Sequence, residues 1–207
     1  MVAKTVCSRV YYGGMVRGII FDCFGVLYGG SLETLIRSLP AEQSDRLRDV
    51  NKSYDYGYIP RASYIEQFAA ILGKSPDDIN QILQDTHVRN DELVDYVRAL
   101  KLSHRVAMLS NVGEATLDKL FAPGEIEELF DVAVLSYREG LTKPHPDVFL
   151  LTAERLGLAP EECVMIDDII ENCEAAEGIG MRAILHTANQ LTVQRLGELL
   201  VHEEPAI

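Results

Sequence analysis

"GIIFDCFGVLYGGS", residues 18–31, is the stretch whose reading decides the fold. Its apolar residues run into a single carboxylate, Asp22, and the chain then breaks at Gly25 and at the pair Gly29-Gly30. A buried strand that ends on a carboxylate followed by glycines is where α/β proteins place chemistry, because side chains leaving the strand's carboxyl end meet ligand there. Phe24 is the odd member. Two positions past Asp22 a side chain points back into the same site, yet this one is an aromatic ring and not a second acid.

Further apolar runs occur at 105–110 (RVAMLS), 132–136 (VAVLS), 162–167 (ECVMID) and 181–185 (MRAIL). Like 18–22 they are continuously apolar and do not alternate, the pattern of strands covered on both faces. Helical segments lie between the later runs. One follows Pro146 with Phe149, Leu150, Ala153 and Leu156 on one face, and another runs from about Asn172 to Gly178. Strands alternating with helices predict an α/β fold with a doubly wound parallel sheet.

The gap after the first strand differs. Between 31 and 104 there is no convincing strand, only helical periodicity. Ser63-Tyr64-Ile65-Glu66 reads as a capping box, Ser75-Pro76-Asp77-Asp78 as a second helix start, and Asn90 as the cap of a third helix. Seventy residues of helix exceed what one crossover needs. The expected organisation is a core of residues 15–30 and 105–207, with a helical cap of 31–104 inserted after the first strand.

At 207 residues the chain suffices for one domain with a sizeable core and a small accessory domain. A net charge of −13 argues against nucleic acid or an anionic membrane as the main partner. An anionic small substrate remains open, because local cations or a metal reverse the sign inside one cleft. No apolar run approaches the roughly 18–20 residues that span a bilayer. The leading "MVAKTVCSRVYYGG" carries no apolar signal core. Cys7, Cys23, Cys163 and Cys173 form no C-x-x-C pair, so a reduced, cytoplasmic setting is expected.

Four polar clusters fall where sheet strands end: Asp22; Ser110-Asn111; Lys143 in "GLTKPHP"; and Asp167-Asp168 in "VMIDDIIEN". In a parallel sheet these carboxyl ends converge on one edge. A carboxylate nucleophile, hydroxyl and amide donors, an ammonium and an acidic pair together suit phosphoryl transfer through an aspartyl phosphate, with the late acids holding Mg²⁺. Each has a plainer reading: a loop acid, a turn, a solvated lysine, acids capping the next helix. The sequence lacks a G-x-x-x-x-G-K-[ST] loop, a G-x-G-x-x-G after a strand, and histidines at metal-ligand spacing.

Taken together, "FDCFGVL", "MLSN", Lys143 in "LTKPHPDVF" and "VMIDDIIENCEAAEGIGM" resemble the four motifs of the haloacid dehalogenase-like (HAD) hydrolases. The resemblance covers roughly residues 16–200. It implies a Rossmann-like core with a cap, and Asp22 as the nucleophile that becomes phosphorylated. It also implies that Ser110, Asn111 and Lys143 bind and neutralise the transferring group. Mg²⁺ would be held by Asp22, the carbonyl of Phe24 and Asp168, with Asp167 as a second acid; Asn172 stands where many members have a further acid. The substrate implied is a small phosphorylated metabolite. Phe24 departs from the phosphatases, whose acid at this position protonates the leaving oxygen. Dehalogenases proper carry an aromatic there, but the retained Asp167-Asp168 pair argues against their metal-free chemistry, and only Arg37 is a candidate for their carboxylate clamp. A degenerate member that binds a phosphorylated ligand with little turnover is the remaining alternative. In the cap, Tyr54, Tyr56 and Tyr58 of "NKSYDYGYIP" either close over an organic group or form a structural cluster.

Overall fold

The computed structural model describes residues 15–29 and 32–201; residues 1–14 with Cys7, the pair Gly30-Ser31 and the segment from 202 lie outside the described residues. Among the described residues seven strands occur in chain order: β1 (Gly18–Phe21), β2 (Tyr28–Gly29), β3 (Val88–Arg89), β4 (Arg105–Ser110), β5 (Val132–Leu135), β6 (Cys163–Asp167) and β7 (Arg182–Leu185). Five of them form a parallel sheet in the order β5-β4-β1-β6-β7. From central β1 the chain builds outward on one side, then crosses back to build the other, so the carboxyl end of β1 lies at the switch point. Phe21 is in register with Met108 of β4 and with Ile166 of β6, which brings Asp22, Ser110 and Asp167 to one edge.

Burial explains the unbroken apolar runs. Along β1, Ile19 and Phe21 enter one apolar cluster and Ile20 enters another. Val106, Met108, Val164 and Ile166 join the first, and Ala107, Leu109, Cys163 and Met165 the second. Both faces are dry, so both alternating sets must be apolar.

Ten α-helices accompany the strands among the described residues: α1 (Leu32–Arg37), α2 (Ala41–Asp55), α3 (Arg61–Leu72), α4 (Pro76–Thr86), α5 (Asp91–Leu100), α6 (Glu125–Leu129), α7 (Ser136–Glu139), α8 (Pro146–Leu156), α9 (Ile170–Gly178) and α10 (Asn189–Val201). Helices α8 and α9 cover the second cluster through Val148, Phe149, Ala153, Leu156 and Ala176. The first is covered by Leu129 of α6, Leu196 of α10, and Leu93, Val94, Val97 and Leu100 of α5.

Helix α5 therefore corrects the expected cap boundary. The separate cap core draws only on α1 to α4, with Ile36, Leu47, Tyr54, Phe68, Ile79 and Leu83 among its members. The division falls at β2 and β3, a two-residue antiparallel ladder pairing Tyr28 with Arg89 and Gly29 with Val88. This stem is the strand that helical periodicity did not reveal. Beyond it Asn90 closes the insertion: its N–H donates to the Leu27 carbonyl (2.9 Å), its Nδ2 to the Val26 carbonyl (2.9 Å), and its Oδ1 caps α5.

Ser75 and Asp78 form the expected reciprocal capping box at α4. Ser63 does not cap α3, which begins two residues earlier behind Pro60; the Ser63 hydroxyl instead accepts from Gln67 one turn on (3.0 Å). Among the described residues no helix is long and apolar enough to cross a membrane, and Cys23, Cys163 and Cys173 are free and buried.

Candidate active site

Asp22 follows β1 directly, its N–H donating to the Ile166 carbonyl (2.9 Å) and so extending the β1–β6 ladder. Its carboxylate is buried; Oδ1 accepts from the Cys23 N–H (2.6 Å) and lies 2.7 Å from Lys143 Nζ. The same ammonium lies 2.6 Å from Asp167 Oδ2. Asp167 Oδ1 is held by the Ile169 N–H and by Asn172 Nδ2, both at 2.9 Å. Asn172 thus serves as a buried donor that fixes Asp167, which in turn fixes Lys143.

Burial disfavours the Lys143 ammonium, but Asp22 and Asp167 outweigh it and hold its pKa above the usual lysine value. For Asp22, burial dominates and pushes its pKa up to about 7; Lys143 pulls it down, and Asp167 and Asp168 add to the rise. Burial and then the neighbouring Asp167 also raise Asp168.

Asp22, Asp167 and Asp168 each place a carboxylate oxygen within 4.8 Å of the others. Three carboxylates face one ammonium, and Asp168 Oδ1 is buried with no hydrogen-bond partner. Gly25, at φ +89°, leaves its side-chain space to this carboxylate: a Cβ there would fall inside contact distance of Asp168. Excess negative charge, an unpartnered oxygen and a backbone cleared for it fit a small, hard divalent cation.

Ser110 ends β4 fully buried, with its hydroxyl also unpartnered. Asn111 behaves differently from the expected free donor. Its Nδ2 donates to the Lys143 carbonyl (2.9 Å) and its Oδ1 accepts from the Lys143 N–H (2.8 Å), so the side chain clamps the two loops together.

Above these residues lies a cavity of about 700 Å³ lined by both core and cap, including Phe24, Asn111, Thr142 and Lys143 below and Tyr54, Asp55, Tyr56 and Tyr64 above. In a chain of net charge −13, the described residues of its lining include six cationic side chains (Arg48, Lys52, Arg61, Arg89, Lys119 and Lys143) and one carboxylate, Asp55. The Lys119 pKa is held below the usual lysine value by burial and by the facing Arg61. Arg37 is exposed on α1, and the cap arginines in the lining are Arg48 and Arg61.

A family model described as haloacid dehalogenase-like hydrolase matches residues 16–180. The chain belongs to this family. Among HAD relatives, the fructose-1-phosphate phosphatase of Escherichia coli is 30% identical over 115 residues, 56% of this chain and 61% of that one. The chain thus spans less than two thirds of that relative, and only a tenth of another curated relative it matches. A HAD family enzyme of Bacteroides thetaiotaomicron, in complex with magnesium and inorganic phosphate, superposes with a TM-score of 0.72 at 22% identity, covering 85% of this chain and 96% of that one. The L-2-haloacid dehalogenase of Xanthobacter autotrophicus superposes with a TM-score of 0.60 at 19% identity, covering 89% and 83%. These two likenesses concern the fold.

The cap tyrosines divide. Tyr54 is buried, stacks on Tyr64 with centroids 4.2 Å apart, and donates its hydroxyl to the Glu114 carbonyl. It is a strut between cap and core. Tyr56 lines the cavity and stacks on Tyr58 (5.2 Å), which is exposed and outside the lining. The residue that sequence reading passed over is Asp55, between them. Burial pushes its carboxyl up to about 7, with Asn51 and Lys143 acting in the opposite direction. The only signal available was that it is the single acid in "NKSYDYGYIP".

Proposed function

We propose that the chain is a Mg²⁺-dependent phosphatase that hydrolyses a small phosphorylated metabolite through an aspartyl phosphate on Asp22. The observation that carries this reading is the strand-end Asp22 held by buried Lys143 beside Asp167 and Asp168, with Lys143 itself in the lining of a cation-rich cavity. Asp22 Oδ1 is occupied by two donors, which leaves Oδ2 to attack phosphorus. Lys143 neutralises charge building on the phosphoryl oxygens, and the unpartnered Ser110 hydroxyl supplies a further donor. Asp167 and Asn172 keep the ammonium in place. Asp22, Asp168 and the Phe24 carbonyl would hold Mg²⁺, which when bound offsets the phosphate's negative charge. The cationic lining of the cap favours an anionic substrate, and a phosphatase of a phosphorylated sugar among the relatives supports that class.

Phe24 favours a second reading, C–halogen hydrolysis, because a halide leaves without a proton. That chemistry needs no metal, so a chelator separates the two. The test is a screen of phosphorylated metabolites with and without Mg²⁺, run beside Asp22→Asn. Mg²⁺-dependent phosphate release lost in Asp22→Asn is the expected result; release unaffected by the substitution overturns the covalent mechanism. No release from any ester, with a phosphate analogue still raising the melting temperature, points to a binding protein with little turnover.

A further inference from the structure

We propose that Asp55, contributed by the cap, is the general acid–base that replaces the carboxyl missing at Phe24. This rests on the phosphatase reading above and assigns the proton that reading leaves without a donor.

Asp55 is the last residue of α2 and, among the described residues, the sole carboxylate lining the cavity that also contains Phe24, Asn111 and Lys143. Its position is fixed from the core, because Ser136 Oγ donates to its main-chain carbonyl (2.5 Å), and Gly57 two residues on lies against the Tyr137 backbone. Its orientation is fixed from the cap. Asn51 Nδ2 donates to Asp55 Oδ2 (2.9 Å), and Asn51 Oδ1 accepts from the Tyr64 hydroxyl (3.1 Å). An oxygen accepting an amide proton is the carbonyl-like one, so a protonated Asp55 carries its hydrogen on Oδ1. Tyr64 faces this carboxyl from α3 and Lys143 from the core loop, while Arg48, Lys52, Arg61, Arg89, Lys119 and His87 share the cavity. Despite those cations, burial brings the group to about 7, where acid and base forms are both available at neutral pH. His87 also lines the cavity, its ring 4.8 Å from that of Phe24, but burial lowers its pKa and so disfavours the imidazolium that would serve as the acid.

The two half-reactions balance through Asp55. In the first, Asp22 bonds to phosphorus as the phosphorus–oxygen bond to the leaving group breaks, and the Asp55 proton passes to the leaving oxygen, giving a neutral alcohol. In the second, water attacks phosphorus, its proton passes to the Asp55 carboxylate, and the Asp22–phosphorus bond breaks to release inorganic phosphate.

The experiment compares an alkyl phosphate with p-nitrophenyl phosphate, first in the unmodified protein and then in Asp55→Asn. Because nitrophenolate leaves without a proton, its first turnover should stay fast in the variant while later turnovers, which need the base, slow and produce a burst. Alkyl phosphate hydrolysis should fall roughly 10²–10⁴-fold, and Asp55→Glu should recover part of it. In the unmodified protein ionisation of the nucleophile Asp22 raises turnover of both substrates as pH rises, so the ratio is read: alkyl turnover relative to aryl turnover should fall as pH rises through about 7 and Asp55 loses its proton. That profile decides the matter even where a variant fails to fold. If the parent hydrolyses no phosphate ester, the phosphatase reading fails and the acid with it. If the parent is active and Asp55→Asn keeps its alkyl-to-aryl ratio, or His87→Gln takes the loss instead, only the assignment of Asp55 is overturned.

Discussion

Gly25 and Asp168 share one volume: the side chain that Gly25 lacks is the space the Asp168 carboxylate fills. The two residues come from different motifs, the turn after β1 and the end of β6, so a backbone constraint in one sets the acid of the other. Gly25→Ala should therefore do two things. A non-glycine residue at φ +89° costs on the order of 1–3 kcal/mol, and the displaced carboxylate should lose its hold on Mg²⁺. Gly73→Ala is the control, since Gly73 is also left-handed (φ +63°) but has open space around it. Calorimetry should find both variants less stable, with the Mg²⁺-induced rise in melting temperature lost only in Gly25→Ala. Equal Mg²⁺ responses would show that Asp168 in this position is not a ligand.

Lys143 carries the second prediction. Removing one partner from a buried ion pair costs about 3–5 kcal/mol, mostly because a charge is left uncompensated. Lys143→Met leaves Asp22 and Asp167 buried without their ammonium. The Asp22 carboxyl, whose folded pKa burial already raises and which loses the ammonium that lowered it, binds more protons folded than unfolded, so stability is recovered as pH falls. Urea unfolding should show a large loss at pH 8 that shrinks at pH 5. The same loss at both pH values would assign the effect to packing of the lysine stem.

A third prediction follows from the pKa of Asp55. Its folded value of about 7 lies above the ordinary 3.8, so the folded state holds a proton the unfolded chain has released between those pH values. Stability contributed by this group falls as pH rises from about 4 to about 7, by at most roughly 4 kcal/mol at ~1.4 kcal/mol per unit. Asp55→Asn removes that slope. The variant should melt higher than the parent at pH 8 and match it near pH 4, gaining stability where it loses activity. A variant less stable at pH 8 would mean that Asp55 is not held in the environment described.

What the sequence disclosed divides along physical lines. The five core strands were readable because each is covered on both faces, so Ile19, Ile20 and Phe21 must all be apolar whichever way they point. The stem of β2 and β3 was not, since two-residue strands contain no period to detect. The stripe Leu93, Val97 and Leu100 announced a buried face on α5 but not its partner, and that partner is the sheet. The strand-end residues Asp22 and Asp167 were legible because topology alone gathers strand ends at one edge. Lys143 does not end a strand but reaches that edge from the loop between α7 and α8. Asp55 was hidden: nothing local distinguishes it from a solvated acid at a helix end, and its pKa is made by the core closing over it. Asn111 looked like a free donor until its pairing with the Lys143 main chain, 32 residues away, was visible.

The last prediction returns to Phe24. General acid help is worth about 10²–10⁴-fold, or roughly 3–5 kcal/mol at ~1.4 kcal/mol per decade. If Asp55 supplies it, a carboxyl restored two residues after Asp22 should be redundant in the parent and decisive without Asp55. Phe24→Asp alone should leave the alkyl-to-aryl preference little changed, whereas in Asp55→Asn the same substitution should recover much of the lost alkyl phosphatase activity. The Phe24 ring packs on His87 and against the apolar cluster of α5, so the substitution also lowers stability. Substrates are therefore compared within each protein, and never between proteins. The four-protein cycle then reads a coupling between Phe24 and Asp55 on alkyl phosphates that is absent on aryl phosphates. Were Phe24→Asp to flatten the leaving-group dependence of the parent as strongly as that of Asp55→Asn, the parent would have had no acid to begin with, and Phe24 would be selecting easy leaving groups instead.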